Sequence, residues 1–403
     1  MATPLLSRGA LGLVLRSLLM AELRVARPSG DGPALPPPLA QSPWPDDLPV
    51  GAGGLGCDSL QLLSLAAAVN EMFHLHEAGT EAGLLAARRF GDWIDEIMAA
   101  WHDGVDRITF TTSGSTGRPK RCTHAAAHLR VEADALAGRW ADRGRVVALA
   151  PAHHIYGVLF TALLPDRLGV PCVAADGFGP SRLAGLFRTG DLVVSFPEHW
   201  AYLERSLPAW PAGVDGVVST APCPPHLVAA LRAKGLARMT EVYGSSETAG
   251  IAWRDAPEAP YRLMPQWRFA DLLDESAPVL AHASGGRWPL MDRIARCGTD
   301  AFRLAGRRDG MVQVGGINVS PAAVAERLRE RPGVRDAAVR LMRPEEGSRL
   351  KAFLVPAPGI DPDELRAEVA AWGAARLSSA ERPGSIALGT RLPVNAFGKA
   401  ADW

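Results

Sequence analysis

The chain reads as an α/β protein: a large mixed-sheet domain followed by a small α+β domain. Three observations carry this. Short apolar, β-prone runs at 146–150, 192–196, 214–219 and 239–242 are separated by helix-length segments such as 125–140, the alternation of a parallel or mixed sheet. Beyond residue 306 the rhythm changes to helix 321–331, strands 334–341 and 350–355, and helix 363–376. A length of 403 residues allows two or three domains and a sizeable core.

Composition narrows the class. With 47% hydrophobic and 21% charged residues, the sequence is that of an ordinary globular protein rather than a disordered one. Its 43 basic and 43 acidic residues cancel, so no general nucleic-acid or polyanion surface is expected. Five scattered cysteines without a CxxC pair indicate reduced thiols and a cytoplasmic location, not a zinc site or disulfide framework. The apolar stretch 11–20 is interrupted by Arg16 and predicts an amphipathic helix, neither a signal peptide nor a membrane span.

Taken in order, 27–56 is Pro- and Gly-rich and predicts a loop. A helix follows, capped by Asp58 or Ser59, with Leu60, Leu63, Ala67 and Phe73 on its apolar side. A second helix is expected over 81–98, with Leu85, Phe90, Trp93 and Ile97 inward.

The stretch 108–123, ITFTTSGSTGRPKRCT, organises the rest. A short strand runs into Thr112, Ser113, Gly114, Ser115, Thr116 and Gly117, with Lys120 at the far end. The glycines let successive N–H groups turn inward, the hydroxyls add donors, and the lysine supplies charge, which together make a cradle for phosphate oxygens. It is not a Walker A loop, because Arg118 and Pro119 follow Gly117 where that motif needs Lys-Ser/Thr.

Later motifs lie at predicted strand ends, where α/β sheets bind ligands. PAHHIYG (151–157) places His154, Tyr156 and Gly157 after one strand. STAPCPP (219–225) brings the small residues Ser219, Thr220 and Ala221 after another, letting a flat ring approach the backbone. YGSSET (243–248) supplies an aromatic ring in Tyr243, a turn at Gly244 and Ser245, the Ser246 hydroxyl, and in Glu247 a hard oxygen ligand suited to Mg²⁺. GRRD (306–309) and NAFGK (395–399) complete the set.

With the 112–120 loop, YGSSET, GRRD and NAFGK in that order, the chain from about Thr109 to its end resembles the adenylate-forming superfamily of acyl-CoA ligases, aryl-acid ligases and peptide-synthetase adenylation domains. The resemblance implies that superfamily's fold, with a large mixed-sheet domain at 106–306, shortened at its start, and a small mobile lid at 307–403. It implies ATP and Mg²⁺ as cofactors and a small carboxylic acid, first an aryl acid, activated as acyl-adenylate with release of pyrophosphate. A pantetheine thiol, on CoA or a carrier protein's 4'-phosphopantetheine arm, would then take the acyl group.

By the same resemblance Tyr243 and the 219–221 turn face the adenine, and Ser246 reaches the α-phosphate. Asp292, fifteen positions before Arg307, joins it at the ribose. Asp309 is the hinge, Gly316 lines a pantetheine tunnel, His154, Tyr156 and Gly157 border the acid, and Lys399 acts during adenylation. The combination of AHHIYG with GIAWRD, Trp253 and Trp267 is similar to a compact aryl-acid branch. Gln313 departs from the more frequent lysine or asparagine.

Within 1–105, the run from Gly56 through Asp58, Ser59 and Leu60 to Phe73 resembles the second half of an acyl carrier protein, which makes Ser59 a candidate phosphopantetheine attachment and a carrier the preferred acceptor. Glu71 is the carboxylate left to its acidic face. Two other readings stand beside the ligase: a catalytically weak carrier-binding scaffold, and an acyltransferase using the same fold without ATP.

Overall fold

The computed structural model describes residues 3–27, 43–51, 53–112, 120–270, 278–308, 310–343, 345–393 and 403. The N-terminal segment folds onto the large domain rather than apart from it. Helix α1 (Arg8–Ala26) starts at Ser7, whose hydroxyl accepts from Ala10 N at 3.3 Å, and buries Leu11, Val14, Leu15, Leu18 and Leu19. Arg16, which interrupts the apolar run, is itself buried and pairs with Asp176 at 3.5 Å.

Helix α2 (Ser59–Phe73) is capped by Asp58 in a capping box with Gln61. Its inward face differs from the expected one. Leu65, Ala66, Val69, Met72 and Phe73 are buried, while Leu60 and Leu63 in the first turns are 77% and 53% exposed, because only the C-terminal half of α2 is covered. The helix expected over 81–98 is two helices, Glu81–Ala86 and α3 (Phe90–His102). Between them the chain is extended and pairs with the preceding loop, Val50 N donating to Arg88 O at 3.0 Å, which turns Leu84 rather than Leu85 inward.

The hairpin of β1 (Arg107–Thr112) and β2 (Lys120–Ala125) leads into α4 (Ala126–Arg139). Then β3 (Arg145–Ala148), β4 (Cys172–Ala174), β5 (Asp191–Ser195), β6 (Asp215–Val218) and β7 (Arg238–Ser245) run parallel in the order 4-3-5-6-7. Their alternation sorts side chains to two cores. Val146, Leu192, Val194 and Val217 face one, and Val147, Val193 and Val218 the other, as a sheet covered on both faces requires.

Antiparallel β8 (Ala249–Arg254) and β9 (Tyr261–Leu263) extend the sheet beyond β7. A separate three-stranded sheet, β10 (Trp267–Phe269), β11 (Val279–His282) and β12 (Arg287–Pro289), precedes β13 (Asp292–Arg296) and β14 (Ala301–Arg307), which complete nine strands. The small domain holds the hairpin β15 (Val312–Val314) and β16 (Ile317–Val319), then α5 (Pro321–Arg329), β17 (Val334–Leu341), β18 (Leu350–Pro356), α6 (Pro362–Arg376) and β19 (Pro383–Leu388) around its own core.

The core of the N-terminal helices is continuous with the sheet: Leu65, Val69, Phe73 and Trp93 belong to one cluster with Val146, Val194 and Phe302. A carrier domain closes a core of its own. Glu71 is also engaged, accepting from Arg121 Nη2 at 2.9 Å and Thr111 Oγ1 at 3.1 Å on the hairpin. The expected carrier-like unit is therefore not present; the segment is a helical brace behind β1, and Ser59 is an exposed first residue of α2.

Candidate functional site

The hairpin β1–β2 fixes both ends of the phosphate-loop sequence, since Thr112 and Lys120 are its last cross-strand partners. Ser113, Gly114, Ser115, Thr116 and Gly117 lie outside the described residues, as do Asp309 and Lys399. Ile108 and Phe110 anchor the hairpin in the core.

Across from it, β7 and β8 form a tight hairpin with Gly244 opposite Gly250 and Ser245 opposite Ala249. A Cβ on Gly244 would come within 2.1 Å of Ala249 O, so only glycine permits the approach. Ser245 and Thr248 stitch the turn, their hydroxyls 2.9 Å apart, and Glu247 N donates to Ser245 Oγ at 3.3 Å.

The two pieces meet. The Lys120 ammonium is ion-paired with the Glu247 carboxylate, and His124 Nε2 donates to Ser246 O at 2.7 Å. Burial works against a charge on Glu247, but Lys120, the Ser245 hydroxyl and the backbone outweigh it and hold the carboxyl below its ordinary range. The Lys120 ammonium is raised, first by its hydrogen bond to Glu247. An ionised, half-exposed carboxylate that already faces a cation fits a Mg²⁺ ligand.

The other strand ends converge here. Ser219 Oγ donates to Val242 O at 2.9 Å, tying the loop after β6 to β7. Thr220 has φ 79°, a left-handed backbone that is uncommon for a residue other than glycine, and its carbonyl accepts from Gln313 Nε2 at 3.0 Å. Ala221 follows, half-buried. The Gly315–Gly316 turn of the small domain thus lies over the Thr220 loop, with Thr220 Oγ1 3.8 Å from where a Gly316 Cβ would stand. Gln313, the departure noted in the sequence, makes that contact.

Asp292 and Arg307 are direct cross-strand partners on β13 and β14. Tyr243 OH donates to Asp292 Oδ2 at 2.5 Å, and its ring packs on Tyr261 and Phe302. Burial first, then Asp292, pushes the phenol far above its usual range, so it stays a donor. One carboxylate is held between a phenol and the strand that carries a guanidinium, a fitting place for ribose hydroxyls.

At the end of β3 the paired histidines divide. His153 turns to α1 and bonds Ser17 Oγ at 2.8 Å, while His154 is exposed. Desolvation lowers His153 to about 3, so its ring is neutral at pH 7. Tyr156 was expected to border the acid. Instead it is buried, its hydroxyl donated to Ser195 O at 3.1 Å and Val217 O at 3.0 Å, which locks this loop to the ends of β5 and β6. A Cβ on Gly157 would stand 2.0 Å from Pro151 O, so Gly157 sets the turn that presents His154.

One residue the motifs do not contain ties the loop after β6 to the Tyr243 side of the site. Glu241 on β7, 6% exposed, accepts from Arg254 at 2.7 Å, Tyr261 OH at 2.8 Å and Cys223 N at 3.3 Å. It couples the loop after β6 to the ring that supports Tyr243. Its signal in the sequence is a carboxylate inside the apolar run 239–242.

This fold and site define an acid-activating, AMP-forming enzyme, and the chain belongs to the AMP-binding enzyme family. The AMP-binding enzyme family model matches residues 107–268, and that of its C-terminal domain residues 323–399. The protein is an ATP-dependent acid–thiol ligase that activates its acid as an acyl-adenylate.

Similar proteins include 4-coumarate–CoA ligases of Cereibacter sphaeroides (40% identical; 90% of this chain, 87% of the relative), Halorhodospira halophila (38%; 96% and 97%) and Rhodobacter capsulatus (37%; 97% and 100%). The fold is that of an o-succinylbenzoate CoA synthetase from Bacillus subtilis (TM-score 0.55, 19% identical, 73% of this chain and 67% of that one) and of a malonyl-CoA ligase (TM-score 0.51, 22% identical, 71% of each). Among the described residues no helix is long and apolar enough to cross a membrane.

Proposed function

We propose that this enzyme joins an aromatic acid of the hydroxycinnamate class to coenzyme A. The observation that supports this reading is the end-to-end match to three proteins named 4-coumarate–CoA ligase, over 87–100% of their lengths, spanning the site just described. Coenzyme A replaces a carrier protein as the preferred acceptor, because the segment that suggested a carrier is part of the enzyme's own core.

In this reading Lys120 and the backbone of 113–117 hold the phosphates, and Ser246 reaches the α-phosphate. Tyr243 and the Ser219–Ala221 turn sandwich the adenine, and Asp292 with Arg307 takes the ribose. Glu247 would hold Mg²⁺, which neutralises phosphate charge when bound. The acid lies beside His154.

A carboxylate oxygen bonds to the α-phosphorus as the bond to pyrophosphate breaks. Two anions must approach, so the cations Lys120 and Lys399 lower the barrier by screening them, and positioning does the rest. The thiolate of coenzyme A then attacks the acyl carbonyl and AMP leaves.

The test is an acid panel of 4-coumarate, cinnamate, benzoate and medium-chain acids, read by ATP–pyrophosphate exchange and by thioester formation with coenzyme A or a pantetheinylated carrier. Exchange and CoA thioester with the hydroxycinnamate above the others are expected. Exchange confined to aliphatic acids, or thioester only on the carrier, overturns the reading.

A further inference from the structure

The turn that carries Glu247 is backed by three side chains four positions apart. His124 ends the hairpin, and His128 and Glu132 follow on one face of α4, where residues at i and i+4 lie above one another. The His124 and His128 rings touch, with centroids 5.7 Å apart. Two of the three bond the turn directly: His124 donates to Ser246 O at 2.7 Å and Glu132 takes Gly250. His128 packs its ring between those of His124 and His282, and its Nε2 is buried without a hydrogen-bond partner among the described residues. Both Glu132 oxygens accept Gly250 N–H, at 3.0 and 3.1 Å. Trp267 Nε1 closes the end by donating to Gly250 O at 2.7 Å.

All three side chains are buried, Glu132 completely. The turn is buried at Thr248, Ala249 and Gly250, while the Glu247 side chain between the two gripped residues points to solvent. The fit is close: a Cβ on Gly250 would stand 2.4 Å from Glu132 Oε1. A carboxyl group buried opposite a single amide is disfavoured relative to an apolar side chain of the same size, so packing alone does not account for Glu132.

We infer that His124 and Glu132 are positioning residues that aim the Glu247 carboxylate at the divalent cation of the ATP complex. This rests on the reading of Glu247 as the metal ligand. Through the backbone of 246–250 they fix where that carboxylate points, and they take no part in transfer to the thiol.

The test uses Mn²⁺ as the cation, titrated by electron paramagnetic resonance in the presence of α,β-methylene-ATP, on full-length protein. Glu132→Met and His124→Phe are expected to weaken Mn²⁺ binding about tenfold, the scale of losing support behind a metal ligand, and Glu132→Gln, which keeps an acceptor for Gly250 N–H, to stay within about threefold. Thioester formation from supplied acyl-adenylate and coenzyme A, which bypasses the metal step, should stay within about twofold in all three. Unchanged Mn²⁺ affinity, or equal loss in the bypass assay, overturns the inference.

Should Glu132→Met fail to fold, His124→Phe carries the test, because its ring keeps the edge contacts with Phe110 and His128 at 5.9 and 5.7 Å and loses only the donor to Ser246 O. Glu247→Gln separates the two claims. If it leaves Mn²⁺ affinity unchanged, the metal-ligand reading of Glu247 fails and takes the inference with it. If it weakens binding and the positioning variants do not, the inference alone fails.

Discussion

The Lys120 ammonium and the Glu247 carboxylate, 127 positions apart in sequence, are joined as an ion pair between the two hairpins of the nucleotide site. Their side chains are 56% and 44% exposed, so the pair adds only about 0–1 kcal/mol to stability. Lys120→Met should therefore shift Tm by less than about 2 °C while weakening ATP binding about tenfold, the worth of one hydrogen bond to a charged group. Calorimetric titration with ATP checks this, and unchanged affinity would remove Lys120 from the phosphate contacts.

Asp292 accepts the Tyr243 hydroxyl and stands opposite Arg307, and in the proposed function its carboxylate also takes the ribose. Asp292→Asn should raise the Kd for ATP about tenfold or more, whereas Tyr243→Phe, which keeps the ring, should raise it only about threefold. Equal, small effects from both would mean that Asp292 supports Tyr243 and nothing else.

His128 and His282 stack face to face among Trp267 and Trp288, and desolvation, the larger cause for each, lowers both to about 4. The unfolded chain takes up these protons near pH 6.5, the folded one only near 4, so between those values the unfolded state binds more protons. Stability contributed by the neutral rings is present above pH 6.5 and is lost as pH falls toward 4, on the order of 2 kcal/mol per ring. His282→Phe keeps an aromatic stack and removes one titration, and its Tm between pH 6.5 and 4.5 should fall less steeply than that of the parent. Parallel curves would count against it.

Lys399→Ala should abolish acid-dependent ATP–pyrophosphate exchange while leaving ATP affinity within several-fold, because the cation is needed as charge accumulates at the α-phosphate rather than for nucleotide binding. Retained exchange would assign that charge to another residue.

Ser59 begins a helix built into the enzyme's core, with Glu71 held by Arg121. Incubation with a phosphopantetheinyl transferase and coenzyme A should leave the intact mass unchanged. A pantetheine increment would restore the carrier reading.

Much of the site was legible because its chemistry is local. A turn that must be glycine at Gly244, a carboxylate at Glu247 and a lysine after a hydroxyl-rich loop each leave a mark within a few residues. The α2 helix was legible too, through its Asp58–Gln61 cap, but its buried face was not. Leu60, Leu63 and Leu65 are equally apolar in the sequence, and which of them is covered depends on where α1 and β1 pack. Tyr156 looked like a pocket residue for a related reason, since an aromatic hydroxyl beside histidines is suited to a ligand as well as to the two carbonyls at the ends of β5 and β6.

Local spacing by itself determined the α/β class and the order of the motifs, since turns, caps and alternating strands are decided by neighbours in the chain, and the acid-activating chemistry followed from the family resemblance that those motifs carry. Only tertiary structure decided that helices α1, α2 and α3 brace the large domain instead of forming a carrier, that Glu241 ties the loop after β6 to β7, and that His124 and Glu132 stand behind Glu247. Those outcomes depend on which surfaces exclude water together and which buried polar groups find partners across a hundred or more residues, and no short window of sequence contains that pairing.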